Sequence, residues 1–172
     1  MAQGLPDRVD CAQLADGAAV LERIYPLGEL PRLRDLLADS HGYVRAKFAF
    51  AKVDSGRAGA TVAVEANPHL VCQRCLQGFA YTAVGCSEIE FSSDAASDAV
   101  NSQREVYATR DGLVSLRELA EEEVLLALPY TAMHPPQFCG RASSFETGDE
   151  GHGISGDRLR PFAALQDLLK KT

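Results

Sequence analysis

The sequence predicts an α+β fold: a small antiparallel sheet with a few packing helices, joined by mobile acidic and glycine-rich loops. Three observations predict it. Apolar residues recur at every second position from Tyr43 to Val53, and again from Phe79 to Phe91, the period of strands with one buried face. Ser115-Leu-Arg-Glu118 then fits the capping box that opens a helix, and an apolar stripe at helical spacing follows it as far as Pro129. With 172 residues and 46% hydrophobic content, the chain fits one domain over residues 1–172.

Taken in chain order, the first element is a short amphipathic helix over residues 29–38. Leu30, Leu33, Leu36 and Leu37 lie at helical spacing, and Pro31 is tolerated in a first turn where its missing N–H costs nothing. In the strand that follows, Val44, Ala46, Phe48 and Phe50 share one face, while Arg45 and Lys47 point to the other. Asp54-Ser55-Gly56-Arg57 supplies a turn, and Thr61–Glu65 resumes a β-branched run, so the two strands pair as a hairpin. A third strand runs through His69-Leu70-Val71 into Cys72. Beyond Cys75, Phe79, Tyr81, Ala83, Ile89 and Phe91 alternate with Thr82, Val84, Glu88 and Glu90, the pattern of a long or bulged strand. Three or four antiparallel strands form the expected centre.

Residues 92–104 hold Val100 as their one large apolar side chain and cannot offset the entropy of ordering, so a mobile loop is expected there. In the helix capped by Ser115, Leu116, Leu119, Val124, Ala127 and Leu128 form the stripe, and Glu118, Glu121, Glu122 and Glu123 sit near its positive end. Residues 141–160 have the glycine-rich composition of a linker, and residues 161–171 return to helical spacing at Phe162, Leu165, Leu168 and Leu169.

Charge and motifs narrow the functional classes. The net charge is −7, which argues against broad coating of RNA, since phosphates are neutralised by Lys and Arg. Eight of the acids fall within residues 94–128, a solvated face or a docking site for a basic partner. A local basic strip of Arg45, Lys47, Lys52 and Arg57, with Tyr43 to stack a base, keeps a direct RNA-binding module open as an alternative. No phosphate-binding loop or nucleophile elbow occurs, so neither a nucleotide cofactor nor catalysis is expected. No apolar run approaches the roughly 18–20 residues of a membrane helix, and the N-terminus has no basic and apolar leader, which predicts a cytoplasmic protein with no membrane partner.

The five cysteines, at 11, 72, 75, 86 and 139, make a disulfide framework improbable in a chain of this kind. Cys72-x-x-Cys75 is half of a zinc site by spacing, because two thiolates two residues apart can bend round one tetrahedral ion. The complementary half is the cluster of His134 and Cys139 after the capped helix. Cys72, Cys75, Cys139 and His134 are therefore the candidate ligands of a Zn2+ ion, with reduced thiols or redox use as the other readings. Were His134 not a ligand, the open position would allow a metal-dependent RNA-maturation enzyme. Cys11 and Cys86 have no spaced partner and read as small apolar fillers.

Val71-Cys72-Gln73-Arg74-Cys75-Leu76-Gln77-Gly78-Phe79 is similar to the signature of the YceD family of large-subunit ribosomal RNA accumulation proteins. Glu121-Glu-Glu-Val-Leu-Leu-Ala-Leu-Pro129, with His134 and Cys139 after it, resembles the family's acidic helix and the residues that follow it. Arg160-Pro161-Phe162-Ala163-Ala164-Leu165 resembles its terminal helix, with Arg160 where the family often has Asn. The resemblance implies a role in the synthesis, processing or stability of bacterial 23S ribosomal RNA, with that RNA, ribosomal proteins or assembly factors as partners. It carries no catalytic residues across.

Overall fold

Alternating apolar residues decide the centre of the molecule. A computed structural model describes residues 7–53, 56–93, 104–135 and 138–139. Its elements are β1 (Arg8–Asp10), α1 (Cys11–Asp16), β2 (Val20–Pro26), α2 (Pro31–Arg34), β3 (Tyr43–Lys52), β4 (Ala58–Ala66), β5 (His69–Val71), β6 (Gly78–Ala80), β7 (Ala83–Ser92), β8 (Glu105–Ala108), β9 (Leu113–Ser115) and α3 (Leu116–Ala127). Five strands form the main sheet in the order β2-β3-β4-β7-β8, and two-stranded sheets pair β1 with β9 and β5 with β6. The mixed α+β class is as the sequence predicts.

In β3 the residues Val44, Ala46, Phe48 and Phe50 are buried, and the register aligns them with Ala66, Val64, Val62 and Ala60 of β4 on the same face. Helices α1 and α3 cover that face, adding Cys11, Leu116, Leu119, Ala120 and Val124 to one core. Each large side chain fully withdrawn from water there contributes about 1.5–3 kcal/mol. The close approach of α3 needs Gly85 in β7: a Cβ at that position would lie 2.6 Å from Oε1 of Glu123 and 3.1 Å from its carbonyl oxygen.

Three features differ from expectation, each for a tertiary reason. The helix over 29–38 shrinks to the four residues of α2, preceded by a 3-10 turn at Leu27–Glu29. The chain leaves the helix because Leu37 bridges Leu70 and the Ala38 N–H donates to the His69 carbonyl at 2.8 Å. Leu30 and Leu33 are buried, but Leu36 is left exposed. The alternation of residues 79–91 is divided between β6 and β7, which lie in different sheets. Strands β2 and β8 enlarge the sheet beyond the expected antiparallel set, and β8 joins β7 in parallel, making the sheet mixed. The loop expected at 92–104 falls largely outside the described residues, as do the linker at 141–160 and the terminal helix at 161–171.

Ser115 caps α3 as its sequence demands, its Oγ accepting the Glu118 N–H at 3.1 Å. Asp7 completes the cap: its Oδ1 accepts the Arg117 N–H at 3.0 Å, and its Oδ2 accepts the Ser115 hydroxyl at 2.7 Å. Ser115→Ala is expected to cost about 1–2 kcal/mol, read as a lower urea midpoint with an unchanged slope.

Candidate metal centre

Strand β5 runs into Cys72 and β6 begins at Gly78, so the candidate ligands Cys72 and Cys75 occupy the turn of a small hairpin. Two backbone bonds close that turn: the Cys72 N–H donates to the Gln77 carbonyl, and the Leu76 N–H donates to the Cys72 carbonyl, both at 2.9 Å. Leu76 takes a left-handed φ of 59°, a conformation that costs a branched side chain about 1 kcal/mol or more. The turn also aims backbone donors at sulfur, with the Arg74 N–H 3.5 Å from the Cys72 Sγ. Burial alone would raise the Cys72 thiol, but N–H donation from Cys75, His134 and Arg74 outweighs it and lowers the pKa to about 5.

The second half arrives from beyond α3. The Gln73 N–H donates to the Ala132 carbonyl at 2.8 Å, which lays the chain after Pro129 along the cysteine turn. Pro135 then turns the chain, its carbonyl accepting from the Phe138 N–H at 2.9 Å and the Cys139 N–H at 3.2 Å. These bonds bring the loop back to the hairpin.

The donor atoms of Cys72, Cys75, His134 and Cys139 all lie within 4.8 Å of one another. Sγ of Cys72 is 3.8 Å from Sγ of Cys139, and Sγ of Cys75 is 3.4 Å from Nδ1 of His134. Tetrahedral ligands on zinc, with Zn–S about 2.3 Å and Zn–N about 2.0–2.1 Å, would stand about 3.8 Å apart for two sulfurs and about 3.5 Å for sulfur and nitrogen. The separations therefore fit a zinc-sized ion, and they are too long for a disulfide, in which the sulfurs are about 2.05 Å apart. All five cysteines are free thiols. Burial, then the neighbouring thiols of Cys75 and Cys72, push Cys139 up to about 11. A bound dication reverses that preference, because a coordinating thiol is deprotonated outright. Three soft sulfurs and one imidazole suit zinc better than oxygen-seeking Mg2+ or Ca2+.

A residue that sequence reasoning passed over completes the centre. The rings of Phe79 and His134 have centroids 4.7 Å apart at an interplanar angle of 38°. In the sequence Phe79 reads as an alternating apolar position and as the aromatic that ends the Val71–Phe79 signature, with nothing there to link it to His134.

The family model described as large ribosomal RNA subunit accumulation protein YceD matches residues 60–169, a span that contains all four donors. The chain belongs to the YceD family. No curated protein and no solved structure matches it.

Elsewhere in this YceD-family chain the other candidate residues divide. Arg57 pairs with the buried Glu90, and Lys52 Nζ lies 2.6 Å from Asp16, so both bases are engaged within the fold. Tyr43, Arg45 and Lys47 are exposed on one face of β3, but the register sets Glu65 opposite Arg45 and Glu22 opposite Lys47. That strip is close to charge-neutral.

The acidic helix is not a solvated face along its length. Glu121 and Glu123 are buried: Glu121 Oε1 accepts the N–H groups of Arg32 at 2.7 Å and Leu33 at 3.0 Å, and Glu123 accepts from the Ser87 hydroxyl. Glu122 keeps partial exposure and pairs with Arg32 at 3.7 Å. The reason is that α2 starts after Leu30, which has no side-chain acceptor for a cap, so α3 provides one across the interface. Cys11 is buried as expected, donating to the Gly112 carbonyl at 3.1 Å, whereas Cys86 is exposed and fills no core.

Proposed function

We propose that this chain is a non-catalytic, zinc-stapled adaptor in the synthesis, processing or stability of bacterial large-subunit (23S) ribosomal RNA, working in the cytosol. Membership of the family supports the pathway. One observation supports the adaptor reading: Cys72, Cys75, His134 and Cys139 form a four-donor set close enough together to hold a metal ion. A catalytic zinc keeps a position open for water, and a complete protein shell leaves none. The ion would act by joining the β5–β6 turn to the chain following α3. Leu76, Met133 and Phe138 are exposed on those two segments, which supports contact with a partner protein there. Among the described residues no helix is long and apolar enough to cross a membrane.

The alternative of direct RNA binding through Tyr43, Arg45 and Lys47 is weakened by the acids that face both bases. Cells lacking the gene, supplied with wild type or with Cys75→Ser, separate the readings. Wild type is expected to restore the ratio of large- to small-subunit RNA, Cys75→Ser to fail, and Arg45→Gln/Lys47→Gln to succeed. Full rescue by Cys75→Ser would remove the adaptor reading. Failure of the Arg45/Lys47 variant, with loss of salt-dependent binding to large-subunit RNA fragments, would install the direct module instead.

A further inference from the structure

We infer that His134 enters the metal centre through Nδ1 and that Phe79 is the residue that positions its ring, an inference that rests on the metal reading above. The backbone of His134 is held on both sides. The carbonyl of Ala132 is bound to the Gln73 N–H at 2.8 Å, and Pro135 restricts the residue before it to extended conformations. What remains free is rotation of the imidazole about its side-chain bonds. Phe79 removes that freedom: its strand position is fixed by pairing with Leu70, and its ring lies 4.7 Å from the imidazole at 38°. In that orientation Nδ1 faces the Cys75 Sγ at 3.4 Å, close to the separation of two ligands on one ion.

Two consequences follow from chemistry. Nδ1 must carry the lone pair toward the ion, so the remaining proton sits on Nε2. Phe79 offers no hydrogen bond to that proton; it orients the imidazole by contact, where many metal-bound histidines are oriented by a carboxylate or carbonyl on the second nitrogen. The ring is the one neutral donor among three thiolates. Its loss would leave the thiolates in place but open the shell, so the rate of metal release reports on how well the ring is held.

The test uses the full-length protein loaded with zinc. Transfer of zinc to a chromogenic chelator is timed for wild type, Phe79→Leu, Phe79→Tyr, His134→Ala and the Phe79→Leu/His134→Ala pair. Phe79→Leu is expected to release zinc about 10–100-fold faster, the range for residues that orient a ligand. Phe79→Tyr, which keeps the ring, is expected to restore the slow rate. In the His134→Ala background Phe79→Leu should add nothing, because the ring it positions is gone. Equal acceleration in both backgrounds overturns the positioning role. Independently of any variant, cadmium-113 bound to nitrogen-15-labelled wild type is expected to show spin coupling to Nδ1 of His134. Coupling to Nε2 overturns the inference while leaving the metal reading intact. Wild type that takes up neither zinc nor cadmium overturns the metal reading itself.

Discussion

Glu121→Ala is expected to destabilise the fold by about 3–5 kcal/mol, a large share of the stability of a domain this size. Both N–H groups that Glu121 Oε1 accepts, on Arg32 and Leu33, belong to the first turn of α2, and Pro31 ahead of them has no N–H to satisfy. A hydrogen bond to a charged group contributes about 1.5–3 kcal/mol, and alanine would leave both donors without a partner in a site that is 4% exposed. Glu121→Gln keeps an acceptor oxygen without the charge and should cost about half as much. Glu122→Gln, which breaks only a partly exposed pair with Arg32, should cost less than about 1 kcal/mol. Guanidinium midpoints of the three variants give the comparison. If Glu121→Ala and Glu122→Gln prove equal, the acid of α3 is not the cap of α2.

The contrast between these neighbours explains what the sequence could and could not convey. Burial on one face leaves a period, so β3, β4 and the start of α3 are legible residue by residue. A capping acid delivered from 88 residues away leaves none, and Glu121 among Glu122 and Glu123 reads as a charge run. The same limit explains α2: its leucines have helical spacing, but pairing of residues 37–38 with β5 ends the helix early. Strand β2 carries both charges and apolar groups at an edge of the sheet, and Ile24 is exposed, so its alternation is blurred. The centre itself divides in the same way. Cys72 and Cys75 announce themselves by spacing, while the closeness of His134 and Cys139 depends on the bond from Gln73 to Ala132 and on the turn closed at the Pro135 carbonyl, and the contribution of Phe79 depends on the pairing of β5 with β6.

On the zinc-staple proposal, removing the metal is expected to have the second large effect, and a local one first. A structural ion present at 1,000 times its dissociation constant stabilises the folded state by about 4 kcal/mol. For a domain of this length that corresponds to a melting temperature lower by about 8–16 °C after treatment with a strong chelator. Cys75→Ser should reproduce the loss, and Cys86→Ser, exposed on the main sheet and outside the cluster, should not. The loss should begin at the hairpin, because two strands of three residues each are not stable by themselves in water. Without the ion, β5 and β6 would keep the buried Leu70, its bridge to Leu37 and the 2.9 Å bond from the Tyr81 N–H to the Pro68 carbonyl. The five-stranded sheet has its own core in Val44, Phe48, Val62 and Leu116 and makes no use of the ligands. Amide exchange should therefore accelerate at residues 69–80 and 130–135 at chelator concentrations that leave β3 and β4 protected. Unchanged exchange at residues 69–80 in metal-free protein would mean that the four donors stand together without an ion to hold them, and the staple would have to be abandoned.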